Sequence, residues 1–176
     1  MNKDYSTDKI EPISHFDYLK KAIEIVKLNR KMMSLIAKDE RATWIGIVIT
    51  GIGGALVFIP GSDLKETMLG AVYSIVALFI FAGLIHLLSG RSMNKDDFLG
   101  FFRINALAGI LDWAIVIPVI GWLITLWGIP IAIVSGEEVY GFSRKRSVAI
   151  ILISVVILWI ITFVMFTGPF AEYCHI

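Results

Sequence analysis

One cysteine, Cys174, stands in 176 residues, so no intrachain disulfide framework can form. Charge is scarce: 18% of the residues are Asp, Glu, Lys or Arg, against roughly 25% in a soluble domain. The signs also cancel. Sixteen Lys/Arg face fifteen Asp/Glu for a net charge of +1, which excludes a broadly basic surface and with it a nucleic-acid partner. Catalytic signatures are missing as well. No HExxH, CxxC or acidic cluster has metal-ligand spacing. No GxxxxGKS/T, GxGxxG or GxSxG offers a phosphate cradle or a serine nucleophile. The sequence therefore predicts no metal, no cofactor and no enzymatic activity, and its length leaves no room for a separate catalytic module.

What fills the chain is apolar: 57% hydrophobic residues and a mean hydropathy of +0.78. This composition predicts an all-α, polytopic integral membrane protein. A hydrocarbon core about 30 Å thick needs about 20 apolar helical residues. Five stretches meet or approach that length: Trp44–Ile59, Met68–Leu88, Phe98–Ile117, Val119–Ser135 and Ser147–Thr167. The third and fourth are separated by Pro118–Gly121, a breaker pair that reads as a tight turn. The predicted organisation is a segment 1–43 followed by a five-span domain 44–176. The first apolar stretch starts too late for a cleavable secretory signal.

Basic residues set the expected orientation. Nine precede the first span, Arg91 and Lys95 lie between spans two and three, and Arg144, Lys145 and Arg146 lie between spans four and five. Five spans put these fourteen on one side and Lys65 alone on the other, with Arg103 inside span three. The positive-inside rule then predicts a multi-pass protein of the cell membrane, its N-terminus cytoplasmic and its C-terminus extracytoplasmic.

In the first segment, Leu19, Ile23, Val26, Met33 and Ile36 recur at helical spacing opposite Asp17, Lys20, Lys21, Glu24, Lys27 and Lys31. This predicts a cytoplasmic amphipathic helix over Phe16–Lys38, with Ser14 as its cap and Asp17 as the capping-box acid. Two readings stand at equal weight. The helix lies on anionic lipid of the inner leaflet, or it packs on the cytoplasmic ends of the spans or a partner protein.

Polar residues inside a span are costly and mark candidate sites. Span three holds Arg103, Asn105 and Asp112. Asp112 reads either as a proton or cation site or, with more weight, as a carboxylate bonded across the Pro118–Gly121 turn. A second candidate region is the cytoplasmic surface of His86, Arg91, Glu137, Glu138, Arg144, Lys145 and Arg146. Carboxylates at a helix C-terminus oppose the macrodipole and need a partner, and Arg103 and Arg91 are the expected ones. Small residues at i, i+4 and i+8 permit close helix approach in lipid: Gly46, Thr50 and Gly54 in span one, and Gly128, Ala132 and Gly136 in span four. Pro130 predicts a kink beside the latter.

Several stretches then resemble the Yip family, the Ypt/Rab-interacting five-span membrane proteins. They are HLLSG (His86–Gly90), FLGFFRINALA (Phe98–Ala108), IPVIGWLITLW (Ile117–Trp127) and GEEVYGFSRKRSVAIILI (Gly136–Ile153), with Glu138, Gly141 and Ser143 in the last loop. Together they cover almost half the chain. The resemblance implies five spans, a cytoplasmic N-terminus and a role in membrane organisation. The long Pro/Gly-rich acidic region and the Asp-Leu-Tyr-Gly-Pro type motif of eukaryotic members are lacking, so binding of Rab-type GTPases is not carried over. The expected function is a non-enzymatic scaffold acting through its cytoplasmic face on a protein partner or a second copy. The alternative is a small transporter or channel component using span three. In a transporter the polar residues of span three should line a shared cavity; in a scaffold they should be tied off at interfaces.

Overall fold

A computed structural model describes residues 15–58, 63–90, 94–117 and 120–167. Among these residues the chain is all-helical, with no strand. Seven α-helices follow in order: α1 (His15–Val26), α2 (Arg30–Lys38), α3 (Arg41–Phe58), α4 (Leu64–Leu88), α5 (Lys95–Ala108), α6 (Ile120–Tyr140) and α7 (Arg144–Thr167), with a 3-10 helix, Gly109–Val116, between α5 and α6.

Two helices, α4 and the Arg144–Val164 part of α7, are long and apolar enough to cross a membrane. The pair Arg30–Lys38 and Arg41–Val57 qualifies only together, as a broken span or a re-entrant loop bent by 109°. Both long helices keep large apolar side chains exposed along their length, among them Met68, Val72 and Val76 of α4 and Val156, Trp159 and Phe163 of α7. Such surfaces suit lipid, which solvates Leu or Val as well as a protein interior does. The described chain is all-helical, with two helices, or three counting the bent pair, long and apolar enough to cross a membrane.

The single N-terminal helix expected over Phe16–Lys38 is two helices. The break is a Schellman turn: Asn29 N–H donates to Glu24 O (3.1 Å) and Leu28 N–H to Ile25 O (2.8 Å). Leu28 takes the left-handed position at φ 61°, where glycine is the usual residue and a side chain costs about 1–2 kcal/mol. Packing of Leu28 against the core offsets that cost. Asn29 then caps α2, its Oδ1 accepting from Met32 N–H at 3.2 Å. Ser14 lies outside the described residues.

Span three is likewise not one α-helix. α5 stops at Ala108 after about 21 Å, and the chain tightens into the 3-10 helix. The 3-10 stretch packs closely on α3. In a 3-10 helix residues i and i+3 eclipse, which stacks Gly109 and Asp112 on one edge. A Cβ on Gly109 would meet Thr50 Oγ1 at 2.9 Å, and one on Gly53 would meet Asp112 Cβ at 2.9 Å. Trp113 Nε1–H donates to Ile49 O at 3.0 Å and adds a second tie to α3. Pro118 and Val119 of the expected turn lie outside the described residues. α6 runs past the expected Ser135 to Tyr140, and Pro130 sits inside it without ending it.

α5 is central. One buried cluster joins Tyr18, Ala22 and Ile25 of α1 and Met33 and Ile36 of α2 to Ile49, Ile104, Leu107 and Ile131. The other joins Phe101 and Phe102 of α5 to Ile85, Tyr140, Phe142 and Ile151. The inner apolar faces of α1 and α2 are thus buried on protein.

Candidate functional site

Three polar residues of the expected span three separate into two environments. Arg103 is only 7% exposed. Its Nε donates to Thr43 Oγ1 at 2.9 Å and its Nη1 to Ala37 O at 2.7 Å. Ala37 O belongs to the last turn of α2, where carbonyls lack helical partners and the dipole favours a cation. Gly100 permits the approach, since a Cβ there would stand 3.2 Å from Ala37 Cβ. Arg103 is therefore a tie between α5 and the α2–α3 bend.

Asn105 and Asp112 face the other way. Both line a cavity of about 570 Å³ whose wall also includes Thr50 of α3, Tyr73 and Ser74 of α4, and apolar residues of α4, α6 and α7. Thr50 Oγ1 donates to Ala106 O at 3.0 Å, and the Tyr73 and Thr162 hydroxyls are bonded at 2.8 Å. The Asn105 amide donates to Phe101 O at 2.9 Å, which leaves its Oδ1 as an acceptor. The expected bond of Asp112 across the Pro118–Gly121 turn involves Pro118 and Val119 and lies outside the described residues; among the described residues none hydrogen-bonds or ion-pairs its carboxylate.

The second candidate region is built around a residue the sequence did not single out. Glu137 and Glu138 are both held by Arg30 at the start of α2: Arg30 Nη1 donates to Glu138 Oε1 at 2.6 Å, and Nη2 binds Glu137 Oε2. This corrects the expected partners. Arg103 is committed to Ala37 and Thr43, and Arg91 lies outside the described residues. Arg30 is half exposed, whereas the Glu137 side chain is 10% exposed, and its Oε1 has no partner among the described residues. Glu137 and Arg144 line a second, small cavity of about 170 Å³. His86 Nδ1 meets the Tyr140 hydroxyl at 3.3 Å, and its ring lies edge-on to Phe98. Arg146 donates to Ser89 O at 2.7 Å and lies over the Phe142 ring. Arg144, Lys145 and Arg146 are exposed.

The small-residue stripes divide. A Cβ on Gly46 would meet Ala106 Cβ at 2.6 Å, and one on Gly54 would meet Gly70 O at 2.5 Å and Ser74 Cβ at 2.6 Å. One on Gly136 would meet Ser147 Oγ at 2.7 Å, and Ala132 is buried. Gly128 departs from the expectation, because a Cβ there meets nothing within 4 Å and the residue faces the larger cavity instead of a helix.

Electrostatics at the N-terminal helices are local. Tyr18 donates to Asp39 Oδ2 at 2.8 Å, and burial, followed by that bond, pushes its hydroxyl up to about 12. Lys27 and Asn29 beside Glu24 hold that carboxyl below the usual range. No signal in the sequence links Arg30 to residues over a hundred positions away. Comparison with family models, curated proteins and solved structures finds no match.

Proposed function

We propose that the chain is a Yip-like, five-span membrane protein that works without catalysis, as a scaffold presenting its cytoplasmic face to a protein partner or a second copy. In this reading α3, α4, α5 with the 3-10 helix, α6 and α7 are the spans. The N-terminus is cytoplasmic and the C-terminus extracytoplasmic, as the basic residues require.

The observation that carries the reading is the attachment of α1 and α2. Their inner face is buried on α3, α5 and α6, and Arg30 clamps α2 to the end of α6. A helix pair held this way presents its outer face in one orientation. That face alternates apolar and basic: Phe16, Lys20, Ile23 and Lys27 on α1, then Lys31, Leu35 and Lys38 on α2, all exposed. Lysines flanking exposed apolar groups suit anionic headgroups, at about 1 kcal/mol per well-placed cation, so anionic lipid is a partner of the same surface.

Reporters test the topology: one fused after Ile176 reads extracytoplasmic, and one in the 89–97 loop reads cytoplasmic. Both on one side would refute five spans. A photo-crosslinker at Lys31 or Lys145 gives discrete protein adducts that Trp159 does not; adducts to lipid alone at all three positions would refute the scaffold. One observation favours a second reading, a small transporter: Asn105 and Asp112 share a cavity. Selective flux in proteoliposomes that Asp112→Asn abolishes would establish it.

A further inference from the structure

The larger cavity has a definite chemical character whichever reading of the whole protein holds. Its wall is mainly apolar, with Leu78, Phe81, Ile129 and Val155 among the lining residues, and it holds no Lys, Arg or His. Most of its polar groups are already engaged: the Thr50 hydroxyl on Ala106 O, the Tyr73 hydroxyl on Thr162, and the Asn105 amide on Phe101 O. Three groups remain for a ligand, the Asp112 carboxylate, Asn105 Oδ1 and the Ser74 hydroxyl. All three accept hydrogen bonds, and one carries negative charge.

A carboxylate in an apolar wall is costly unless it takes up a proton or a cation joins it. No cation joins it among the described residues, which leaves a place for one from outside. A hard metal ion would need several waters besides these oxygens to complete its six or more ligands, and a mainly apolar wall gives those waters few partners. An alkylammonium asks for less: three N–H donors in a small space, with a carbon stem that gains from apolar contact. The volume lies within the range of cavities that enclose drug-sized ligands. We propose that this cavity binds protonated primary amines carrying an apolar body, the ammonium held by Asp112 and the body lying along Leu78, Phe81 and Ile129.

Gly128 provides a clean way to fill the site. It lines the cavity, and a Cβ there meets nothing within 4 Å, so a larger side chain enters the cavity without displacing a helix. The test uses the full chain in phosphatidylcholine nanodiscs, titrated with 4-phenylbutylamine and, in parallel, with the uncharged 4-phenylbutanol. The amine binds at least roughly tenfold more tightly than the alcohol, the scale of one charge-assisted hydrogen bond. Asp112→Asn erases that preference, and Gly128→Phe removes binding of both compounds while circular dichroism stays unchanged. Nanodiscs containing phosphatidylethanolamine distinguish the source of the amine. Severalfold weaker apparent binding there assigns the site to a lipid headgroup, and unchanged binding assigns it to a free amine. Equal binding of amine and alcohol, a preference that survives Asp112→Asn, or binding that survives Gly128→Phe would each overturn the proposal.

Discussion

Replacing Gly54 by alanine forces a methyl group against α4, 2.5 Å from the Gly70 carbonyl oxygen and 2.6 Å from Ser74 Cβ. The Gly70 oxygen is backbone and cannot swing aside. Restoring an ordinary contact of about 3.4 Å requires α3 and α4 to part by roughly 0.9 Å at that level, and overpacking of this kind costs about 1–3 kcal/mol. Alanine also gains up to about 1 kcal/mol of helix propensity over glycine, which would mask part of the loss. Gly83 supplies the control. It lies in α4, and a Cβ on it meets nothing within 4 Å, so Gly83→Ala takes the propensity gain alone. The difference between the two variants therefore isolates the packing cost. At about 2–4 °C per kcal/mol for a chain of this size, thermal unfolding in one detergent should separate them by on the order of 5 °C, Gly54→Ala the lower. Ser74→Ala in the Gly54→Ala background recovers only part of the loss, because the Gly70 carbonyl remains. Gly54→Ala as stable as Gly83→Ala would show that α3 and α4 do not approach at this point.

Arg103→Met keeps the length of the side chain and removes both charged hydrogen bonds, a loss of about 2–4 kcal/mol. Amide hydrogen exchange in α1 and α2 should accelerate relative to α7, and unchanged exchange would refute the role of Arg103 as a tie. Tyr18 stays neutral in the folded chain up to about pH 12, whereas an unfolded tyrosine ionises near 10. Its contribution to stability is therefore constant below pH 10 and lost as pH rises through 12. The tyrosinate absorbance difference between the chain and Tyr18→Phe measures this directly, and a midpoint at the ordinary value would sink the assignment.

The sequence was most legible where local pattern decides. The apolar runs locate α4 and α7 to within four residues at their starts and match their ends, because spans of that length need no tertiary information. Asp63 and Asn94 then cap α4 and α5 through their side chains. Other features needed partners distant in the chain. Leu28 ends α1 where glycine would have been the visible signal. The 3-10 helix begins at Gly109, where α3 comes close at Thr50, and no periodicity reports that approach. Glu137 and Glu138 called for a cation, but charge counting cannot choose Arg30 over Arg91 or Arg103. Gly128 matched the spacing of a packing stripe, yet spacing does not say whether a helix stands opposite. Asn105 and Asp112 come to one cavity even though the helix between them changes pitch.

The central place of α5 has a consequence for the order in which the chain is made. The acceptors of Arg103, Thr43 and Ala37, lie 60 and 66 residues before it, so they are already synthesised when the arginine emerges and needs them. The apolar faces of α1 and α2 are in the opposite position. Their partners Ile104, Leu107 and Ile131 come off the ribosome only later, and Glu137 and Glu138, which hold Arg30, come later still. Until then these faces must be sheltered by bilayer or chaperone, and α5, bearing an arginine and two aspartates, has little apolar drive to enter the membrane alone. In the five-span reading, insertion of this helix is a joint event with its neighbours, and the N-terminal helices close over it only once Glu138 has emerged.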